Sequence, residues 1–455
     1  MTIDRSRRRF LSGTGAVSAA ALFPALAASV PAAAQAATGY RALVCVFLYG
    51  GNDGNNTVVP YDDYANYAAG RGPGTGAALD ASQLVPITPK SVARRFGLHP
   101  NLAPLAPLFA QGKLAVVCNV GTLVAPLTRA QYLAGTATPR NLFSHSDQQL
   151  AWQGLIPNAV QNSGFGGRIV DAISAGNPAL AIPGMVSLAG DALYTVGLST
   201  LPVSLSGGGA TGLPGDTDST EGRIVYASLG RLLTVDRSNQ LVARAADVMA
   251  LALQSTAALS AVQGTANPAI DAAFQNVNSG LGDQLREVAT LIAGRGALGV
   301  QRQCFFCSMG GYDTHSQQLQ GQGGCLDELG TALAAFYKAT EALGVGTQVT
   351  TFTLSDFSRT FRINANAGSD HAWGGHHFVL GGAVAGGDFY GKFPDLTFGG
   401  PDDAGSDGVW IPTTAIEQYG ATLATWFGVA AGGLPSVFPN TGQFSPATLG
   451  FLAAS

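Results

Sequence analysis

Residues 351–382 read TFTLSDFSRTFRINANAGSDHAWGGHHFVLGG. A strand-like run ends in Ser355-Asp356, and the pairs Asp370-His371 and His376-His377 follow, so half of the chain's six histidines fall in this one stretch. Two more acids stand in similar settings. Asp53 lies in Gly50-Gly51-Asn52-Asp53-Gly54 and Asp313 in Gly310-Gly311-Tyr312-Asp313-Thr314-His315, each just beyond an apolar β-type run. Open α/β sheets collect their ligands at the carboxyl ends of strands. The three clusters are therefore expected to meet at one edge of a mostly parallel sheet.

The flanking sequence supports that sheet. Residues 41–49, RALVCVFLY, form an unbroken apolar run of strand length, the pattern of a strand buried on both faces. Residues 113–120 form a second such run. Residues 302–309 and 348–354 read as two more, separated by a helical repeat of Leu326, Leu329, Leu333, Phe336, Tyr337 and Leu343 that ends at Gly344 and Gly346. Strand, helix and strand in that order predict a right-handed parallel crossover. Thr414-x-x-Glu417 has capping-box spacing and predicts a helix that buries Ile416, Tyr419, Leu423, Trp426 and Phe427. Residues 186–293 read as an insertion, Gly/Ser/Thr-rich at first and then helical. There Val242, Ala245, Val248, Met249, Leu251 and Leu253 predict a buried amphipathic helix.

Composition excludes several classes. With 46% hydrophobic and 11% charged residues over 455 positions, the chain is far from disordered and can bury a large core. Residues 1–36 carry the head Ser6-Arg7-Arg8-Arg9-Phe10-Leu11, an Ala-rich run and Ala34-Gln35-Ala36, the layout of a cleaved twin-arginine export signal. Pro24 and Pro31 break that run, which falls short of the ~20 strongly apolar residues of a membrane span, and no later segment reads as one. The mature chain, residues 37–455, would be more acidic than the net charge of −4 of the whole sequence, and the chain has four lysines, so no phosphate-tracking basic stripe is expected. Nucleic acid is excluded as a partner on that ground. Cys45 and Cys118 sit inside apolar runs as core residues. Cys304-Phe-Phe-Cys307 has CxxC spacing within a β-run, where residues three apart face opposite sides, which suits neither a redox turn nor a zinc knuckle. A disulfide from either to Cys325 is left open.

Converging carboxylates need positive charge, because several cannot stay ionised side by side without a cation or a proton. His315, His371 and His376 offer the nitrogen ligands that borderline divalent metals prefer. One or two zinc, manganese or similar ions are expected, held by Asp53, Asp313, His315, Asp356 and His371, with Asn52, Asp370 and His376 as further candidates. Ser144-His145-Ser146 precedes an apolar-periodic helix with Leu150 and Trp152. Either serine can cap that helix or sit as a nucleophile in the field of its N-terminus. Arg359 and Asn364 are candidate oxyanion donors, or a surface salt bridge and a loop amide. P-loop, HExxH and GxSxG signatures do not occur.

FLYGGNDGNNTVVPY at 47–61, RFGLHPNLAPLAPLFAQGKLAVVCNVG at 95–121, GGYDTHSQQ at 310–318 and TLSDFSRT at 353–360 with SDH at 369–371 form a recognisable set. GGDFYGKFPDL at 386–396 and IPTTAIEQYGATLATWFGV at 411–429 extend it. Together these motifs resemble the exported bacterial family catalogued as domain of unknown function fifteen-oh-one. That family is similar to the alkaline phosphatase and sulfatase superfamily. The resemblance implies a three-layer α/β/α sandwich with a mostly parallel central sheet and two divalent metals around a Ser or Thr nucleophile. Position by position it implies Asp53 as the first-strand metal ligand, Ser144 as nucleophile with Ser146 its alternative, Asp313 with His315 on one metal, Asp356 as the bridging acid and His371 as the last histidine. Two departures put the second metal in doubt: Asp313-x-His315 where the superfamily has Asp-x-x-x-His, and Asp356-Phe357 where it has Asp-His or Asp-Asn. No Cys-x-Pro-x-Arg occurs, which argues against formylglycine chemistry.

The expected function is that of a periplasmic or secreted metal-dependent hydrolase of small-molecule or polymeric phosphate or sulfate esters. In it Ser144 or a metal-activated water attacks and His145 or Arg359 assists the leaving group or oxyanion. The alternative is a non-catalytic, metal-stabilised binding or assembly protein of the cell envelope. The export machinery is the one protein partner the signal implies.

Overall fold

The computed structural model describes residues 39–72, 76–156, 158–174, 182–205 and 219–453; the expected signal peptide lies outside them. The main sheet is built from β1 (Arg41–Leu48), β2 (Leu114–Gly121), β3 (Met185–Ser187), β4 (Val203–Ser204), β5 (Arg302–Met309), β6 (Val349–Ser355), β7 (Gly375–Gly381), β8 (Asp388–Tyr390) and β9 (Thr414–Ala415). Its order is β8-β2-β7-β6-β1-β5-β3-β4, with β9 beside β2. Every pairing is parallel except those of β7, which runs antiparallel to both β2 and β6.

β1 sits between two parallel partners, with Leu48 opposite Met309 of β5 and Ser355 of β6. Its side chains alternate between two cores, as a period of two requires. Leu43, Cys45 and Phe47 face one side, packed with Phe306, Phe352, Trp426 and Phe427. Val44, Val46 and Leu48 face the other, with Leu285, Leu329 and Phe336. Helices α1 (His145–Gly154), α2 (Phe165–Ile173) and α7 (Ile416–Phe427) supply the first core through Trp152, Ile169, Tyr419 and Leu423. Between them in the chain come α3 (Thr220–Leu232), α4 (Gln240–Gln263), α5 (Gly280–Ala293) and α6 (Gln318–Ala342), and α5 and α6 cover the second core. The molecule is an α/β protein with a mostly parallel sheet between two helical layers. Each large side chain buried in these layers stabilises the fold by about 1.5–3 kcal/mol.

The register brings the ends of β1, β5 and β6 together, and the reversal of β7 brings the segment leading into it to the same edge. Gly50 and Gly51 let β1 leave the sheet there. Both have positive φ, and a Cβ at Gly50 would stand 2.4 Å from the Asp313 backbone nitrogen, one at Gly51 2.5 Å from the Phe357 ring. Only glycine permits this approach.

Several expectations are modified. The segment 186–293 is not one appendage: Met185–Ser187 and Val203–Ser204 extend the main sheet, and Leu281, Leu285, Val288 and Ile292 of α5 lie in the second core. The helix containing Val242, Val248 and Met249 forms, but those three are 38%, 45% and 40% exposed; Ala246 is buried among them, and Leu259 and Val262 near the C-terminal end enter the core. By length and composition this helix is long and apolar enough to cross a membrane, whereas no segment after the leader was expected to be. The predicted capping box does not form: the N-cap is Ala415, whose N–H donates to Gln418 Oε1 at 3.0 Å, Thr414 Oγ1 donates to the Cys118 carbonyl at 3.0 Å, and Glu417 is left buried. All five cysteines are free, with Cys304 and Cys307 in opposite cores.

Candidate metal centre

Three imidazoles and one carboxylate converge at the sheet edge. Asp313, four residues beyond β5, carries Oδ1 to 3.4 Å from His145 Nε2, 3.1 Å from His315 Nε2 and 3.5 Å from His371 Nε2. His145, Asp313 and His371 each place one ligand atom within 4.8 Å of the others, the spacing of a group able to hold a metal ion. His315 Nε2 stands beside them, 2.9 Å from His371 Nε2.

Each imidazole is fixed from behind. His145 is the first residue of α1, and its Nδ1 lies 2.7 Å from Asp356 Oδ2, which also accepts from Gln149 Nε2 at 2.9 Å. Gln149, one turn along the same helix face, completes that clamp. His371 Nδ1 faces the Phe143 carbonyl at 2.7 Å, and His315 Nδ1 faces Asp370 Oδ1 at 3.1 Å. A carbonyl or carboxylate can only accept, so each Nδ1 carries a proton, and Nε2 is the nitrogen left to face Asp313 Oδ1. The Phe357 ring packs at 4.8 Å from His145 and 4.6 Å from His371 and fixes their planes. An antiparallel turn holds His371 in place: Arg359 bridges to it, and the Ala372 N–H donates to the Ser358 carbonyl at 2.9 Å.

The fourth side of the site is cationic. Arg359 is fully buried, and its Nη2 donates to Asp313 Oδ1 at 2.8 Å, while its Nε and Nη1 have no protein partner. Burial opposes ionisation of Asp313, but the Arg359 guanidinium, aided by His145 and His315, outweighs it and holds the carboxyl below its usual range. Desolvation pushes His371 below the ordinary imidazole value, as do the nearby Arg359 and histidines, and the Phe143 carbonyl opposes them. A neutral imidazole is the form that binds metal.

The donor set fits a divalent ion. His145 Nε2 is buried without a hydrogen-bond partner, and His315 Nε2 and His371 Nε2 stand 2.9 Å apart, a contact that a cation or a proton between them satisfies. Metal-binding histidines characteristically direct the other nitrogen to a carboxylate or carbonyl, as all three do here.

Other candidates are placed elsewhere. Asp53 does not join the group: one oxygen takes the Arg71 guanidinium and the Gln318 amide, and the other accepts from Asn55 N and Nδ2 at 3.0 and 2.9 Å. Asp53 and Arg71 are both fully buried, so a guanidinium neutralises the acid that was expected to bind metal. Asn52 is bound to Thr57, Gln322 and Ser355. Asp356 stands behind His145 rather than beside Asp313. His376, expected as a ligand, is a core residue that accepts from the Asn119 N–H at 3.2 Å and stacks on Phe393; burial lowers its pKa to about 3. Ser144 is the N-cap of α1, accepting from the Asp147 N–H and donating to Asp147 Oδ2 at 2.5 Å, with Ser146 Oγ at 3.2 Å. Asp370 and Asn364 support His315: Asn364 Nδ2 donates to the His315 carbonyl at 3.0 Å and to Asp370 at 3.2 Å. Sequence reading missed Gln149, Phe357, Arg71 and Gln318. Of these only Gln149 had a local signal, its i+4 spacing from His145.

Two solved structures illustrate what the chain is similar to. The lipoteichoic acid synthase LtaP from Listeria monocytogenes is 7% identical, with 86% of this chain and 73% of that chain covered and a TM-score of 0.32. A sulfatase, PsFucS1 from Pseudoalteromonas sp., is 13% identical, with 87% and 73% covered and a TM-score of 0.32. Likeness at this level carries no chemistry with it. No curated protein matches the sequence. The family described as "Protein of unknown function (DUF1501)" matches residues 40–403, and this chain belongs to it.

Proposed function

We propose that the centre binds one divalent metal ion of the zinc or manganese kind, and that the protein is an exported hydrolase of phosphate or sulfate esters. The observation that carries this reading is the convergence of imidazole Nε2 atoms on Asp313 Oδ1, each ring fixed by an acceptor behind it. His145, Asp313 and His371 would hold the ion, three ligands that leave a position open, as catalytic sites do. When bound, the ion supplies charge neutralisation for an ester oxygen and lowers the pKa of a water. His315 is the most exposed of the three imidazoles at 45% of its side chain and is backed by Asp370, so it is placed to pass a proton between the site and solvent. Arg359 holds Asp313 ionised, and its free N–H groups face the requirement for an anionic partner.

Water is the favoured nucleophile. Ser144 has its hydroxyl committed to Asp147, on a cap rather than in the cluster. The Arg71–Asp53 pair supports one ion rather than two, because the remaining acid is already neutralised. The leader at residues 1–36 supports twin-arginine export to the periplasm or beyond. That same commitment of the serine also favours a second reading, a metal-stabilised binding or assembly protein without turnover.

The test is elemental analysis of the purified mature chain with assays on aryl phosphate, phosphodiester and aryl sulfate substrates. About one ion per chain and chelator-sensitive turnover are expected. A stoichiometric ion with no turnover on any ester supports the second reading, and absence of bound metal overturns both.

A further inference from the structure

A cavity of about 420 Å³ lies on the other side of α1 from the metal centre, between that helix and the first turn of α7. Its size is that of a small-molecule site. Most of its polar lining is satisfied within the protein. Thr122 Oγ1 donates to Gln148 Oε1 at 2.9 Å, Gln148 Nε2 donates to the Arg140 and Asn141 carbonyls, and Asp147 accepts from Ser144 and Asn141.

Glu417 is the exception. It lines the cavity, is 1% exposed, and has one oxygen bonded to Asn440 Nδ2 at 3.4 Å and the other, Oε2, without any partner. Among the lining residues one further buried polar atom lacks a partner, Gln161 Oε1, packed against Gly154. Both unpartnered atoms are oxygens. The unpartnered buried atoms of the cavity are therefore acceptors beside an apolar wall that includes Leu123, Ala151, Leu155 and Ile416, while the exposed Arg140 adds one guanidinium to the lining. A carboxyl left unpaired in such surroundings carries the full desolvation penalty of its charge, which a bound cation with N–H donors offsets.

We propose that this cavity binds a small organic amine, its ammonium donating to Glu417 Oε2 and its apolar body lying against the α1 and α7 side chains. The site is separate from the metal centre and does not depend on the reading given to that centre. Burial raises the Glu417 pKa to about 7, so the carboxylate form that pairs with an ammonium is the main one in mildly alkaline solution.

The probes are benzylamine, benzyl alcohol and toluene, titrated at about pH 8 and up to about 10 mM into the mature chain by calorimetry and ligand-observed NMR, with and without chelator. Benzylamine is expected to bind saturably, about tenfold or more tighter than benzyl alcohol, because it alone makes a charge-assisted hydrogen bond. Glu417→Gln is expected to erase that preference, and Ala151→Phe, which fills the cavity from α1, to remove binding of both. Thermal melts report that each variant is folded. Absence of saturable benzylamine binding, equal binding of amine and alcohol, or a preference that survives either substitution would overturn the proposal.

Discussion

The His145 Nδ1 and the buried Asp356 carboxylate lie 2.7 Å apart, and this contact aims the opposite nitrogen of the ring at Asp313. Asp356 also accepts from the Gly50 N–H at 3.3 Å and from Gln149, so its position is set by two other chain segments, α1 and the turn after β1. Asp356→Asn removes the charge that fixes the tautomer while keeping the shape. Metal affinity is expected to fall about tenfold to a hundredfold, measured by competition with a chromogenic chelator. Unchanged affinity would mean that Asp356 does not position His145.

The imidazoles should separate by role. His145→Gln and His371→Gln are expected to lose stoichiometric metal. His315→Gln is expected to keep it and to lower turnover about 10²–10⁴-fold, the range of a positioned acid or base. Elemental analysis of the three variants beside their kcat values decides the matter. Loss of metal from the His315 variant would make that residue a ligand.

Arg71→Met leaves Asp53 as an unpaired buried carboxylate, still contacted by Gln318 and Asn55. Breaking a buried pair from one side costs about 3–5 kcal/mol, which urea denaturation would register. An increase in bound metal in this variant would show that Asp53 belongs to a second ion site.

Ser144→Ala removes an N-cap and is expected to cost about 1 kcal/mol of stability. Turnover should persist at a level close to that of the unchanged protein. A folded variant with metal bound and turnover abolished would restore the serine as nucleophile.

Acid stability follows from the buried histidines. Burial lowers the pKa of His376 and His377 to about 3 and that of His99 to about 4, below the 6.5 of the unfolded chain. The unfolded state then binds more protons between those values, so stability is present above pH 6.5 and is lost as pH falls toward 3. Glu417 acts with the opposite sign. Its raised pKa contributes stability below the ordinary glutamate range that is lost as pH rises through about 7. Melting temperature recorded across this range should fall on the acid side, and Glu417→Gln should gain on the unchanged protein as pH rises past 7. A flat acid limb would mean that the buried histidines are solvated in the native state.

What the sequence determined by itself was four of the nine strands of the main sheet, β1, β2, β5 and β6, and where they end. The apolar runs at β1, β2, β5 and β6 are long, unbroken and closed by Gly-Gly or polar residues, a one-dimensional pattern that needs no partner to be read. From those ends the gathering of Asp313, His315, Asp356 and His371 at one edge followed. Which atoms meet there was decided by tertiary structure alone. The reversal of β7 turned His376 and His377 into the core and left His371 at the rim, and strand direction is not encoded in an apolar run. Asp53 and Asp356 both follow a strand, yet one meets Arg71 from eighteen residues away in the chain and the other meets His145 across 211. Whether an acid binds metal, supports a ligand or pairs with an arginine depends on which neighbour the fold packs against it, and spacing along the chain carries no record of that contact.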